Sequence, residues 1–166
     1  CPHSVDLYQL QQLLADFAAS AASTNKTSQA IVDALPGHRR VVVDEAPFSS
    51  ARKWSALAFD DAGRSDGRSA LKGVYVLGAL EMLRDCLQID DAAQQQLEDW
   101  SAQGLRVLVF AYNPNVTSLH DAAGEFALPS LTLLGVVSFS DELRPHLQET
   151  LNSFTSNGVK LKVISG

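Results

Sequence analysis

The residues best placed for chemistry lie in Pro47-Phe48-Ser49-Ser50-Ala51-Arg52-Lys53-Trp54, where an aromatic ring is followed within five positions by an arginine and a lysine. An aromatic face can stack on a nucleotide base, and neighbouring cations can approach its phosphates. A loop with a buried Phe and two solvated cations accounts for the same residues, and both readings stand on the residues alone. Gly63-Arg64-Ser65-Asp66-Gly67-Arg68 has the composition of a phosphate cradle. It lies between two strand-like stretches and opens no helix, so a hairpin connection explains it as well. The chain contains no G-x-x-x-x-G-K-[ST], G-x-G-x-x-G or G-x-S-x-G pattern. His3, His38, His120 and His146 are scattered without metal-ligand spacing, so no metal site is read from them.

The elements that must position these residues follow from periodicity. Ser4 to Ala22 carries Leu7, Leu10, Leu13, Leu14 and Phe17 at helical spacing, with Ser4 placed to cap. A second helix is predicted from Thr27 through Leu35, stopped by Pro36-Gly37. Arg40–Asp44, Trp54–Phe59 and Gly73–Leu77 read as strands, the last two joined by the polar stretch Asp60–Ser69. Helices are predicted over Ala79–Leu87 and Asp91–Gln103, the second closed by Gly104. Leu105–Tyr112 and Leu131–Phe139 are apolar strands. Asp141–Asn157 reads as a helix and Val159–Ile164 as a strand, a pairing that suggests a parallel α/β layer. The fold class is therefore α+β, a mainly antiparallel β-sheet flanked by helices. A domain boundary near Ser140 divides residues 1–139 from a C-terminal αβ segment, 140–166. Trp54 and Trp100 fall among apolar neighbours and read as packing residues, and Asp141 and Arg144 suit a helix start.

With 166 residues, 46% hydrophobic and 19% charged, the chain can bury a core and is not wholly disordered. Thirteen Lys+Arg against 19 Asp+Glu leave a net charge of −6, which argues against a nucleic-acid-coating or polybasic membrane-binding protein. No apolar run reaches the roughly 18 residues of a membrane-spanning helix, so nothing in this chain is expected to cross a bilayer, and no direct membrane contact is expected of this piece. Cys1 and Cys86 are too few for a disulfide scaffold, Cys86 suits a small core position in a helix, and a reducing, cytoplasmic setting is the default. The start at Cys1 and the stop at Val163-Ile164-Ser165-Gly166 read as a piece of a longer chain.

Pro47-Phe48-Ser49-Ser50-Ala51-Arg52-Lys53 resembles the PFSSxRK signature of the nucleotide-binding domain of bacterial P-type cation-transporting ATPases. Further segments resemble that family in its own order. Lys26-Thr27-Ser28-Gln29-Ala30-Ile31 is similar to its xPTExAL helix start, Leu77-Gly78-Ala79-Leu80-Glu81 to KGAPE, and Gly104 through Tyr112 to GLRVLAxAY. Ser140 through Pro145 is similar to the xDPxRP hinge, and Gly158 through Gly166 to GIKVxxITGD, cut before its Asp. The likeness implies that Phe48 stacks on adenine, with Ser49 beside it in the same signature, and that Lys53 lines the pocket. It implies that Gly78 and Ala79 bring backbone close to the nucleotide, that Arg106 reaches toward the phosphates, and that Ser165 and Gly166 begin a phosphate-side motif. Residues 140–166 would then be the hinge and the start of the second half of a haloacid dehalogenase-like phosphorylation domain.

The departures from the pattern carry weight. Ser28 stands where the family has Glu, removing an acceptor for the adenine amino group. Leu77 replaces the KGAPE lysine, Lys72 being a decoy in an alternative register, and Ser50 stands where some relatives carry Arg. Weak ATP binding is the expectation. The resemblance implies an ATP-binding domain of a membrane ATPase at the bacterial plasma membrane, with ATP and Mg2+ as cofactors. Its partners would be the phosphorylation and actuator domains of the parent chain. The phosphorylated Asp would precede Cys1, so the piece is expected to bind nucleotide without turning it over. The PFSSARKW form hints at calcium or a related divalent cation. The alternative is a non-catalytic α/β interaction domain with a vestigial pocket.

Overall fold

A computed structural model describes residues 7–22, 25–60, 71–102, 106–139 and 159–162. Helix α1 spans Leu7–Ser20 and α2 Lys26–Ala34. Strands β1 (Val42–Ala46), β2 (Trp54–Asp60) and β3 (Lys72–Ala79) follow, then a single helical turn, α3 (Leu80–Leu83), and a two-residue strand, β4 (Leu87–Gln88). Helix α4 covers Asp91–Ala102, and β5 (Arg106–Asn113), β6 (Leu131–Phe139) and β7 (Val159–Lys162) complete the order. The seven strands form one sheet ordered β1-β2-β3-β5-β6-β4, with β7 also on β6. All pairings are antiparallel except β4 with β6. This is the expected α+β class with a mainly antiparallel sheet.

Strand alternation places a core on each face of the sheet. Leu57, Phe59, Tyr75, Leu77 and Phe110 pack with Leu10, Leu14 and Phe17 of α1 and Ile31 of α2. Ala56, Ala58, Val74, Val76 and Val109 pack with Leu83 and with Leu97 of α4. The spacing of Leu10, Leu14 and Phe17 puts all three on one helical stripe, which is the face that is buried. Trp54 is buried, and Trp100 packs against the second core half-buried, as packing residues do.

A charged tie crosses the first core. Asp16, in α1, and Arg40, ahead of β1, are both buried, with Arg40 Nη2 3.0 Å from Asp16 Oδ2. Arg40 Nε donates to the same oxygen at 3.1 Å, while Asp16 Oδ1 accepts the His38 backbone N–H at 2.8 Å. The Arg40 backbone N–H donates to Ser20 Oγ at 2.7 Å. The segment between α2 and β1 is thereby stapled to the side of α1.

Three expectations change. The helix expected over Ala79–Leu87 stops at Leu83. The Cys86 N–H returns to the Leu83 carbonyl, and the Leu131 N–H donates to the Cys86 carbonyl at 2.7 Å, drawing Leu87 into a parallel pairing with Leu131. Cys86 is therefore a half-buried turn residue, not a helical one. The first strand runs Val42–Ala46, two residues later than expected at each end. Strand β7, expected in a parallel α/β layer, lies antiparallel on β6, on the edge of Val136–Phe139 that β4 leaves open. The helix expected over Asp141–Asn157 and the boundary at Ser140 lie outside the described residues.

Candidate functional site

A cleft of about 600 Å³, open to solvent, lies between the C-terminal part of α1, the N-terminus of α2 and one face of the sheet. Phe17, Ala18, Ile31, Leu57, Leu77 and Leu108 supply apolar lining. Ser28, Glu45, Phe48, Lys53 and Gly78 line it as well. The sequence-separated motifs that carried Ser28, Phe48, Lys53 and Gly78 thus meet at one place. Phe48 is 42% exposed, an aromatic face held open instead of packed away.

The loop between β1 and β2 is shaped by its own hydrogen bonds. The Lys53 N–H donates to the Ser49 carbonyl at 2.7 Å, and the Ala51 N–H to Ser49 Oγ at 3.2 Å. Ser49 therefore forms the turn and is not among the cleft-lining residues. Lys53 has φ 57°, a left-handed conformation that costs a non-glycine residue roughly 1–2 kcal/mol. Its Nζ lies 3.3 Å from Glu81 Oε1, an exposed pair.

Arg52, expected beside Lys53 as a phosphate-directed cation, has a different task. Its guanidinium lies 5.3 Å from the Trp54 ring centroid and 4.7 Å from that of Phe126, and it donates to the Pro47 carbonyl. Cation–π contact on two rings closes the loop and ties it to the 119–127 segment. Arg52 is not among the residues lining the cleft.

Ser28 is engaged in capping. Its Oγ accepts the Asn25 N–H at 2.9 Å and donates to the Asn25 carbonyl, while its own N–H donates to Asn25 Oδ1 at 2.8 Å. This reciprocal capping box fixes the start of α2 at the cleft. Gly78 sits opposite Trp54 in the β2–β3 register, and a Cβ on it would fall 2.3 Å from Trp54 Cβ and 2.9 Å from the Lys53 carbonyl oxygen. Ala79, which does not line the cleft, donates its N–H to that same carbonyl at 3.0 Å. Arg106 opens β5, paired with Phe139, and Leu108 two residues along lines the cleft. Ser165 and Gly166 lie outside the described residues.

Sequence reasoning missed Glu45. Strand β1 is irregular between Val42 and Asp44. An extra residue in a strand reverses the facing of every later position, so Val42 packs on the α1 core while Ala46 joins the opposite one. Glu45 then turns toward α1, where its Oε1 accepts the Ala22 N–H at 3.0 Å. Nothing local in the sequence signals this, because the bulge is a property of the pairing with β2.

Asp44, on the other face, holds the long segment between β5 and β6. Its Oδ2 accepts the Leu119 N–H and meets His120 Nδ1, both at 2.8 Å. Burial alone would raise its carboxyl, but the Leu119 N–H, the His120 ring and the Glu45 N–H together hold it below the ordinary value of 3.8. A depressed folded-state value means that the carboxylate favours the fold above about pH 3.8 and that this contribution fades as pH falls through the lowered value. Asp44→Asn is expected to be less stable at neutral pH and to lose less stability on acidification, read from thermal unfolding between about pH 2 and 5.

Residues 30–146 match the family model for the P-type ATPase cytoplasmic domain N, and the chain belongs to that family. It is 36% identical over 157 residues to the calcium-transporting ATPase CtpE of Mycobacterium tuberculosis and of Mycobacterium bovis, covering 93% of this chain and 17% of each relative. The probable cation-transporting ATPase exp7 of Streptococcus pneumoniae is 31% identical over 158 residues, 95% of this chain and 18% of that protein. The chain thus spans less than a fifth of the length of these curated relatives.

Proposed function

We propose that this domain binds ATP in the cleft beside Phe48 and presents it to the phosphorylation domain of a cation-transporting P-type ATPase. The observation that carries this is the gathering of Phe48, Lys53, Ser28 and Gly78, from three separate segments, around one apolar cleft. Phe48 offers its exposed face to the base, and Lys53 provides a charge for the phosphates. Arg106 adds a second cation at the start of β5. Mg2+ would accompany ATP, carried on its phosphates. In the parent, residues 140–166 lead through the hinge into the second half of the phosphorylation domain, with Ser165 and Gly166 on its phosphate side. The actuator domain is a further partner. The parent works at a bacterial plasma membrane with this domain in the cytoplasm. Calcium or a related divalent cation is the cargo, a reading supported by the names of the CtpE relatives. On this reading the phosphorylated aspartate belongs to the phosphorylation domain, and the present domain binds nucleotide without hydrolysing it.

Titration of the 166-residue chain with ATP by calorimetry tests the reading. Ser28 is occupied by its cap and Leu77 carries no charge, so binding weaker than about 1 µM is expected; stacking still contributes about 1–3 kcal/mol. Phe48→Ala should weaken binding about tenfold or more. Lys53→Ala should weaken it less, and less still at high salt. If neither substitution alters the ATP-induced NMR shifts, the cleft is vestigial and the chain is an interaction domain.

A further inference from the structure

Glu45 brings a carboxylate into a cleft that, as a nucleotide site, receives a polyanion. Next to phosphates such a charge would repel the ligand. At the base end it becomes useful. We propose that Glu45 is the residue by which this domain selects adenine over guanine, its free carboxylate oxygen accepting a hydrogen bond from the adenine amino group. The proposal rests on the nucleotide-binding reading of the cleft.

Three observations converge on it. The irregularity between Val42 and Asp44 turns Glu45 to the α1 side of β1, the side on which the cleft lies. The hydrogen bond from the Ala22 N–H to Oε1 fixes the side chain, and among the described residues no hydrogen bond or ion pair engages Oε2. Glu45 also precedes Phe48 by three residues, a separation that extended chain spans in at most about 10 Å. A base stacked on Phe48 therefore has its edge within reach of the carboxylate. Ser28 is the weaker candidate: its hydroxyl already accepts the Asn25 N–H and donates to the Asn25 carbonyl, and the lone pair left over is uncharged.

The chemistry has a definite sign. An ionised carboxylate only accepts hydrogen bonds. The amino group at position 6 of adenine donates, whereas guanine and hypoxanthine present a keto oxygen there, which would face the carboxylate acceptor to acceptor. Glu45→Gln is close to isosteric. Its amide oxygen can keep the Ala22 N–H while its amide nitrogen replaces Oε2, turning the acceptor at the cleft into a donor.

The test compares ATP and GTP binding by calorimetry for the wild-type chain and for Glu45→Gln, with thermal unfolding as a folding control. The wild type is expected to favour ATP about tenfold, the scale of one charge-assisted hydrogen bond. Glu45→Gln should unfold at the wild-type temperature and bring the ratio to one or reverse it. In the wild type, the Glu45 carboxyl carbon NMR shift should move on adding ATP and stay in place on adding ITP, a readout that needs no variant. An unchanged ATP/GTP ratio in folded Glu45→Gln, or equal Glu45 shifts with ATP and ITP, would overturn the proposal. Loss of both nucleotides in Phe48→Ala would in that case keep the binding reading intact. Absence of binding of either nucleotide by the wild type would overturn both.

Discussion

Asp16→Ala is expected to destabilise the domain by about 3–5 kcal/mol, the range seen when one member of a buried ion pair is removed. In a chain of this length that lowers the unfolding midpoint by roughly 10 °C. The size follows from burial: the side chains of Asp16 and Arg40 are only 2% and 6% exposed. Deleting the carboxylate removes the Asp16 charge from beside the buried guanidinium and also leaves the His38 N–H without its acceptor. Asp16→Asn separates the two effects, since an amide oxygen can still accept from His38 while the charge is lost. Its cost should fall between Ala and wild type. A loss below about 1 kcal/mol for Asp16→Ala, read from denaturant unfolding, would show that the pair contributes little net stability. The consequence reaches the cleft, because α1 supplies Phe17 and Ala18 to its lining and Asp16, together with Ser20, fastens α1 to the segment entering β1.

Whether an element or a site residue is legible in the sequence depends on whether its determining contacts are local. The stripe of Leu10, Leu14 and Phe17 announces α1 because helical periodicity is written in adjacent turns. The β2–β3 hairpin and β5 and β6 are legible for the same reason: their apolar runs need only themselves to be recognised. The end of α3 is different. Leu80, Glu81, Met82 and Leu83 continue into residues that could all be helical, and what stops them is the pairing of Leu87 with Leu131, more than forty positions away. The candidate site divides along the same line. Phe48 and Lys53 lie in one motif, and Gly78 and Ser28 in others that resemblance could find. Arg52 has the right charge in the right motif, yet Phe126, far along the chain, draws it away. Glu45 looks like any strand residue until the bulge turns it round. The Asp44–His120 contact joins residues 76 positions apart, and no spacing rule anticipates it.

Gly78→Ala is expected to cost about 1–3 kcal/mol and, on the proposed function, to weaken ATP binding as well, since the residue lies where β2, β3 and the loop between β1 and β2 meet. An added Cβ would stand 2.3 Å from Trp54 Cβ, 2.8 Å from Trp54 Cα and 2.9 Å from the Lys53 carbonyl oxygen. Two of these atoms are backbone, so a side-chain rotation cannot relieve the contact; the strands must separate. Separation strains the hydrogen bond from the Ala79 N–H to the Lys53 carbonyl, which anchors Lys53 in its left-handed conformation. The Lys53 side chain would then leave its place beside the cleft, and affinity falls without any atom of the ligand having been touched. Ala79→Gly, one residue on, is the matched control: it adds no atom, and its cost should stay within about 1 kcal/mol. The discriminating measurement is the pair of readouts taken together. Loss of stability with unchanged ATP affinity would make Gly78 a packing residue alone. Loss of both, with Lys53→Ala adding nothing further to the affinity defect, would place its effect on the nucleotide through the position of Lys53.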